Sequence, residues 1–343
     1  MSEPTHIKKN KPVIGISIGD YNGIGPEVII KAIEDNRIQK YITPVVYCDS
    51  RIISHYRKLL DLPNFNYHQI KSIDQVHHNR FNLVNVQIDG EIAIQPGHGH
   101  AESGKYALKS LKVALEDLKA KKIDGLCTAP LSKELVQSDD FKFPGHTEYL
   151  TIEAGAKESL MLLVSDELKV GVVTGHIPIK DVSAALTKEK VKSKLQILQK
   201  SLKKDFGIKK PRIAVLGLNP HAGENGLLGT EEIEVISPII NEMKENGHLV
   251  FGPFPADGFF GSSQFKSFDG ILAMYHDQGL IPFKNMAFES GVNFTAGLSF
   301  IRTSPDHGTA FSIAGKCAAD ATSMRNALFL ARDIVNSRDS NEG

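Results

Sequence analysis

Short apolar runs alternate with longer amphipathic segments along most of this chain. The amphipathic segments carry apolar residues at helical spacing and predict helices at 104–120, 182–202 and 231–246, with another helix beginning at Pro26. Thr230 is placed as the N-cap of the third of these helices. The apolar runs predict buried strands at 13–18, 44–47, 124–127, 170–174, 212–216 and 270–274. Strands alternating with helices indicate an α/β fold whose mostly parallel sheet is covered on both faces.

One segment departs from this alternation. Residues 253–261 contain two prolines together with several Phe and Gly residues, which indicates a long functional loop instead of a strand. The segment 304–316 is also unusual, because small residues surround His307. Such residues allow a backbone to approach a flat ligand closely, although the same pattern suits a structural loop.

Length and charge exclude several classes of protein. The 343 residues suffice for one large or two medium domains. Forty Lys and Arg residues balance forty Asp and Glu residues, whereas nucleic-acid-binding proteins carry a basic excess. Three dispersed cysteines without a CxxC motif predict a reducing compartment, and no apolar run reaches the length of a membrane span. We therefore expect a cytoplasmic protein that binds neither nucleic acid nor membranes.

Three of the thirteen histidines lie just past the ends of predicted strands. His176 comes after 170–174, His221 after 212–216 and His276 after 270–274. Ligands of open parallel sheets bind beyond the carboxyl ends of the strands, so these imidazoles are candidates for a divalent metal site with open positions. The alternative is three unrelated loop histidines. His98 and His100 form a second candidate pair, but they supply only two ligands.

A small polar cluster offers contacts for an anionic ligand. Arg302 suits a carboxylate or phosphate in bidentate fashion, and Lys284 suits it as a point charge. His146, Thr147 and Asn293 complete the cluster, for which a solvated surface is the alternative. The Gly-rich turn at 19–26 lacks the third glycine of a dinucleotide fingerprint, so it predicts a tight strand-to-helix turn.

Taken together, ordered motifs give the chain a family resemblance. It resembles the 4-hydroxythreonine-4-phosphate dehydrogenases of vitamin B6 synthesis nearly from end to end. The resemblance implies two α/β/α domains around a cleft, similar to isocitrate and isopropylmalate dehydrogenases and unlike a Rossmann fold. The implied domains are 1–134 plus 285–343, and 135–284. The motifs that carry it are GDYNGIGPEVI (19–29), TAPLSK (128–133), FPGHTEYL (143–150), TGHIPIK (174–180), LNPHAGENG (218–226), GPFPADGFF (252–260), MYHDQGLIPFK (274–284) and SPDHGTAF (304–311).

The resemblance also implies a set of site residues and cofactors. It assigns one divalent metal, zinc, magnesium or cobalt, to His176, His221 and His276. NAD or NADP would bind the loop Asp306, His307, Gly308, Thr309 and Ala310, and the enzyme would be a homodimer with each active site at the subunit interface. Substrate contacts would come from His146, Thr147, Lys284, Asn293 and Arg302, with Asp257 and Lys284 as candidates for the general base.

The implied substrate is 4-phosphohydroxy-L-threonine, a small phosphorylated molecule. Its oxidation gives 2-amino-3-oxo-4-phosphooxybutanoate, which decarboxylates to 3-amino-2-oxopropyl phosphate. The alternatives are a paralogue that oxidises a phosphorylated four-carbon sugar acid or another hydroxy compound, and a non-catalytic metal- or phosphate-binding protein. Two positions depart from the family pattern: Ser312 stands where Asp is frequent, and Gly258 stands where Thr is common.

Overall fold

The computed structural model of this chain describes residues 11–136 and 146–342. These residues divide into two compact units, 11–136 with 307–332 and 146–306 with 333–342. The segment 285–306, which the family resemblance assigns to the first domain, therefore groups with the second unit. The reason is strand pairing, because both strands of this segment extend the sheet of the second unit.

The first unit is built on a parallel sheet of five strands. The strand order is β3-β4-β2-β1-β5, and every pairing among them is parallel. The strands are β1 (Val13–Ser17), β2 (Thr43–Cys48), β3 (His68–Ile70), β4 (Asn82–Asn85) and β5 (Gly125–Thr128), and the helices are α1 (Gly25–Ile33), α2 (Ser50–Leu59) and α3 (Ala101–Lys119).

The second unit contains seven of the strands in a mixed sheet. The order is β12-β11-β6-β7-β10-β8-β9. The strands are β6 (Leu160–Val164), β7 (Lys169–Val172), β8 (Ile213–Leu216), β9 (Val250–Phe254), β10 (Gly270–Ala273), β11 (Val292–Ala296) and β12 (Arg302–Pro305). The helices are α4 (His146–Glu153), α5 (Val182–Ala185), α6 (Lys188–Lys204), α7 (Ser237–Glu245), α8 (Ala256–Gly261) and α9 (His276–Ala287), and α10 (Thr322–Glu342) ends in this unit.

The expected parallel pairing holds for only part of the second unit. Strands β7, β10, β8 and β9 run parallel to one another. Strands β12, β11, β6 and β7 pair antiparallel, which the strand–helix alternation did not predict. Strands β6 and β7 are joined by a short connection, and such a connection can link only antiparallel neighbours.

The long helix predicted at 182–202 is interrupted. Helix α5 ends at Ala185, and α6 begins at Lys188 after two residues with non-helical backbone angles. Thr187 causes the restart, because its hydroxyl accepts a hydrogen bond from the Lys190 N–H and caps α6. The third predicted helix begins at Glu231, which leaves Thr230 at the predicted N-cap position, where its carbonyl accepts a hydrogen bond from the Glu234 N–H at 2.8 Å. Residues Glu232–Ile236 then form a π-helical turn before α7.

The interpretation of 253–261 as a loop is wrong. Residues up to Phe254 belong to strand β9, and α8 follows directly. Strand β9 is the last strand of its sheet, where Pro253 is tolerated because an edge strand has one side without ladder hydrogen bonds. Pro253 therefore lies in an edge strand, and Pro255 in the connection between β9 and α8.

An apolar core fixes the strands that carry the predicted metal ligands. Side chains of β7, β8 and β10 pack with Phe259 of α8 and with Leu280 and Phe283 of α9. Gly279 allows this close packing, because a Cβ atom there would lie 2.9 Å from a methyl group of Val170.

Among the described helices, none combines the length and apolar composition needed to cross a membrane.

Candidate active site

The three histidines predicted to bind a metal follow three adjacent strands of the second unit. Strand β10 pairs in parallel with β7 on one side and with β8 on the other. Their carboxyl ends therefore meet at one edge of the sheet, and His176, His276 and His221 follow β7, β10 and β8 respectively. The expectation that these histidines share a sheet edge is met by this topology.

Two of these histidines lie side by side. The ring centroids of His176 and His276 are 5.5 Å apart, with the ring planes tilted by 45°. His276 is the first residue of α9, and its Nδ1 atom lies 2.7 Å from Oδ1 of Asp277. A carboxylate on one ring nitrogen fixes the orientation of an imidazole and leaves Nε2 for another partner, as in many metal sites.

His221 lies on an exposed turn with an unusual backbone. Residues 221–225 all have positive φ values, between 41° and 79°, although only Gly223 among them is a glycine. Left-handed conformations of this kind are sparsely populated and persist only where the surroundings impose them. Within 11–136 and 146–342, no three His, Cys, Asp or Glu side chains are grouped so that they could hold a metal ion. The three-histidine site therefore stays a prediction.

A buried carboxylate holds the base of the His221 turn. Glu232 is only 3% exposed, and its Oε1 atom accepts hydrogen bonds from the backbone N–H groups of Leu218 and Asn219 at 2.7 and 2.8 Å. Its Oε2 atom accepts a third bond, from Nδ2 of Asn219, at 2.9 Å. A Cβ atom at Gly223 would lie 2.6 Å from the same Oε2. The turn is thus folded around one carboxylate.

The amide of Gln278 ties two of the three strand ends together. Its Oε1 atom accepts a hydrogen bond from the Met274 N–H at 2.7 Å, and its Nε2 donates to the Gly217 carbonyl at 2.6 Å. These two backbone groups lie at the ends of β10 and β8. Sequence reasoning assigned no role to Gln278 or Glu232, although their positions beside the predicted ligands pointed to them.

Asn293 and Arg302 project from the same face of the β11–β12 pair. In the antiparallel register Phe294 lies opposite Thr303, so Thr295 and Arg302 are cross-strand neighbours, and their side chains are hydrogen bonded at 3.1 Å. Asn293 lies two residues from Thr295 and therefore shares its face. The Oδ1 atom of Asn293 is buried and has no hydrogen-bond partner among the described residues. A buried polar atom of this kind suits a ligand contact.

Lys284 lies beside Asp306. Its Nζ atom is 4.0 Å from Oδ2 of Asp306, which precedes the boundary of the second unit. Burial raises the pKa of the Asp306 carboxyl, and the nearby Lys284 and His276 lower it in part. The resemblance placed Asp306 in the cofactor loop, but the structure groups it with the candidate metal and substrate residues.

Thr147 lines a cavity of about 330 Å³ in the second unit, together with His176. The side chain of His146 lies outside the described residues. Asp257 is exposed in the first turn of α8, beside the His221 turn. Next to it, a Cβ atom at Gly258 would have no neighbour within 4 Å. The structure thus has room for the threonine that the family commonly carries there.

The predicted cofactor loop from His307 onwards belongs to the first unit and rests on the Gly-rich turn. The Ile24 N–H donates to the Thr309 carbonyl at 2.9 Å, and a Cβ atom at Gly23 would lie 2.8 Å from that oxygen. Gly308 has open space around its α-carbon. The turn is a strand-to-helix connection between β1 and α1, as predicted, and it also supports the loop.

The His98-x-His100 pair has a structural explanation. His100 is the N-cap of α3, where its Nδ1 atom accepts a hydrogen bond from the Ser103 N–H at 3.2 Å. Its Nε2 atom lies 3.0 Å from Nδ2 of the buried Asn22. Both ring nitrogens are therefore engaged within the fold, which agrees with ranking this pair below the three strand-end histidines.

Comparison with known protein structures identifies the fold. The chain is similar to an isocitrate dehydrogenase from Methylococcus capsulatus, with a TM-score of 0.52 and 12% identity, over 96% of this chain and 88% of that one. This likeness shows an isocitrate dehydrogenase-like fold. A crystal structure of 4-hydroxythreonine-4-phosphate dehydrogenase from Klebsiella pneumoniae matches better, with a TM-score of 0.84 and 34% identity, over 95% of this chain and 98% of that one.

Sequence comparison then gives the family. Residues 40–331 match the family described as pyridoxal phosphate biosynthetic protein PdxA, and the chain belongs to this family. It is 46% identical to the 4-hydroxythreonine-4-phosphate dehydrogenase of Bacteroides thetaiotaomicron, over 97% of this chain and 91% of that protein. It is 40% identical to a putative D-threonate 4-phosphate dehydrogenase of Oceanobacillus iheyensis, over 95% of this chain and 98% of that protein.

The His221 turn provides a prediction about stability. We expect Glu232→Ala to lower the free energy of unfolding by on the order of 3 kcal/mol, because three donors around the turn lose their acceptor. Urea unfolding followed by circular dichroism measures this change. Glu231→Ala is the matched control, since its less buried carboxylate binds Ser183 and Asn219, and its loss should cost under about 1 kcal/mol. Equal losses in the two variants would contradict the anchoring role of Glu232.

Proposed function

We propose that this protein catalyses the NAD(P)- and divalent-metal-dependent oxidation of 4-phosphohydroxy-L-threonine. The product, 2-amino-3-oxo-4-phosphooxybutanoate, would lose carbon dioxide to give 3-amino-2-oxopropyl phosphate. The observation that carries this proposal is family membership, together with 46% identity to a 4-hydroxythreonine-4-phosphate dehydrogenase over 97% of the chain. None of the three cysteines forms a disulfide bond, in keeping with work in a reducing cytoplasm.

We propose that the three histidines at this sheet edge bind a divalent cation such as zinc, magnesium or cobalt. His176 and His276 are close enough to act together, and Asp277 orients one of them. His221 would provide the third nitrogen. When bound, the cation would supply a Lewis acid for the alcohol and ketone oxygens, and the nicotinamide would accept the hydride.

The polar groups of β11, β12 and α9 fit the anionic parts of such a substrate. Arg302 is 3% exposed, and its guanidinium donates a hydrogen bond to Thr295, so its orientation is set before a ligand arrives. Asn293 offers a buried acceptor on the same face, and Thr147 lines the cavity beside His176. Together these groups would bind and orient the phosphate and the carboxylate.

Proton transfer is best assigned to Lys284. Of the two candidates for the general base, Asp257 is exposed, whereas Lys284 has a carboxylate partner in Asp306. The Lys284 ammonium would first pass a proton to the Asp306 carboxylate, and the amine formed in this way would take the hydroxyl proton. The loop from His307 to Ala310 would receive NAD or NADP, because open space at Gly308 lets a flat ligand approach the backbone.

We further propose that the enzyme is a homodimer with its active sites at the subunit interface. Large apolar side chains are exposed on the segments that carry the three histidines and follow β7, β8 and β10. They are Leu227 (78%), Ile179 (71%) and Ile281 (67%). Exposed apolar groups beside a polar site are typical of surfaces that become buried on association. A second copy would also explain why one described chain does not group the three histidines by itself.

A second candidate substrate is D-threonate 4-phosphate. The relative from Oceanobacillus iheyensis named for this activity is 40% identical to the chain, so the two substrate classes are close in sequence. The space beside Gly258 is consistent with a substrate contact that differs from the one made by threonine-bearing family members.

A substrate panel distinguishes these candidates. We expect kcat/KM for 4-phosphohydroxy-L-threonine to exceed that for D-threonate 4-phosphate by at least about tenfold, because discrimination by one polar group is worth this much. The measurement is the appearance of NADH or NADPH at saturating metal. The reverse order would assign the chain to the threonate class, and no turnover of either compound would refute both proposals.

The metal assignment predicts a matched pair of histidine variants. We expect His276→Ala to lower both the bound metal and kcat/KM by at least about 100-fold while the far-ultraviolet circular dichroism stays unchanged. His98→Ala, which removes an exposed histidine of the first unit, should change neither. Metal content measured by mass spectrometry of the purified protein gives a readout that does not depend on turnover. Full metal content in His276→Ala would contradict the assignment.

A further inference from the structure

The cavity that contains Thr147 and His176 has a cation in its wall that the proposed mechanism does not use. This cation is Lys194 of α6, and the cavity of about 330 Å³ lies entirely within the second unit. Neither the strand-end pattern nor the family resemblance assigns Lys194 a role. In the sequence it is one of many lysines of a lysine-rich helix.

Most of the Lys194 side chain is buried. It is 13% exposed, and its ammonium group donates a hydrogen bond to the Ser159 carbonyl at 2.5 Å and lies 3.5 Å from Oε1 of Glu158. An ammonium group has three N–H donors, so one remains after these two contacts. Among the described residues no further partner accepts it, and the side chain lines the cavity. Lys194 is thus poised to bind a group inside the cavity.

Ser159 contacts both Lys194 and the segment that carries Thr147. Its backbone carbonyl accepts the hydrogen bond from Lys194. Its hydroxyl lies 2.7 Å from the hydroxyl of Thr151, which donates to the Thr147 carbonyl at 2.6 Å. Lys194 therefore lies in the same cavity wall as Thr147, the predicted substrate contact at the beginning of α4.

The charges around Lys194 favour an anionic ligand. Burial lowers the pKa of Lys194, and the nearby Glu158 raises it in part. Glu158 thus keeps the ammonium charged inside a largely buried environment. Lys194 is paired with Glu158, and Glu148 also lines the cavity. The N–H donor of Lys194 that remains is a suitable partner for a multiply charged anion.

We propose that Lys194 binds the phosphate group of the substrate from the wall of this cavity. The inference rests on the proposed function, in which the substrate carries one phosphate and one carboxylate. The planar fork of Arg302 matches a carboxylate, whereas an ammonium binds phosphate as a point charge. Lys284 already faces Asp306, so Lys194 supplies the additional positive charge that a dianionic phosphate requires.

The first test uses two lysine variants of the same helix in the complete enzyme. Lys194→Gln is expected to raise KM for the phosphorylated substrate on the order of tenfold and to leave kcat within about twofold. Lys192→Gln is the matched control, because Lys192 pairs with Glu242 at the surface. Its KM should match that of the wild type. An unchanged KM in Lys194→Gln would overturn the proposal.

The second test measures binding without turnover and separates this inference from the proposed function. Inorganic phosphate should raise the Tm of the wild-type protein and of Lys192→Gln, because a ligand that binds only the folded state stabilises it. The increase should be absent in Lys194→Gln. If the wild-type protein turns over neither candidate substrate but this pattern is found, the phosphate contact stands while the proposed function fails. An equal increase in all three proteins would overturn the contact.

A double variant tests whether the rise in KM comes only from a disturbed structure around Lys194. Lys194→Gln leaves Glu158 without its cation, so a loss of packing could by itself raise KM. The double variant Lys194→Met with Glu158→Gln removes both charges and leaves no unpaired carboxylate. It should show the same rise in KM as Lys194→Gln. Restoration of the wild-type KM in the double variant would show that Lys194 acts only through Glu158.

Discussion

The parallel alignment of β7, β10 and β8 is the constraint on which the candidate site depends. Parallel strands point their carboxyl ends to one edge of a sheet, so each of the three following segments begins at the same place. The apolar core beneath them holds the strands, and Gln278 bridges the ends of two of them. A single amide side chain satisfies two backbone groups that the ladder leaves unpaired, so the edge stays open to a ligand and the peptide groups keep their partners.

The His221 turn shows how a buried charge can organise a strained loop. Five consecutive residues in left-handed or nearly left-handed conformations would not persist in an isolated peptide. Glu232 compensates by accepting three hydrogen bonds from the residues just before the turn, and Gly223 leaves room for its carboxylate. The π-helical turn that contains Glu232 precedes Pro238, which has no N–H group for a regular helical bond. Glu232 therefore connects the π-helical turn to the irregular His221 turn.

The sequence pattern predicted most of the buried parallel strands, but it missed the wholly apolar strand β6 and failed where the position of a strand in the sheet determines its structure. The runs at β1, β5, β7, β8 and β10 were predicted because buried parallel strands have few polar residues. Strands β11 and β12 carry Asn293 and Arg302, and their polar residues hid them. The prolines of β9 suggested a loop, because edge position cannot be recognised without the sheet order. Local spacing likewise could not reveal the break before α6, which depends on one capping hydroxyl.

The residues of the candidate site were predictable to different degrees for a related reason. The strand-end histidines could be found because topology alone places them, whereas the contact between His176 and His276 needed the folded chain. Lys194 could not be distinguished from the other lysines of α6, because its special property is burial against Ser159 and Glu158. Asp306 was placed in the cofactor loop because it adjoins His307 in sequence, yet the boundary between the two units falls between these two residues.

Three of the candidate ligand-binding bases in the second unit have a carboxylate beside them, which helps to explain how a chain of zero net charge can bind an anion. Lys284 lies near Asp306, Lys194 near Glu158, and His276 is hydrogen bonded to Asp277. A cation already held by one acid has lost much of its side-chain freedom before a ligand arrives, so less entropy is lost on binding. The carboxylate also reduces the repulsion among cations gathered in one place. A phosphate or carboxylate would then complete a preorganised set of charges, and the balance of forty basic and forty acidic residues conceals this local arrangement.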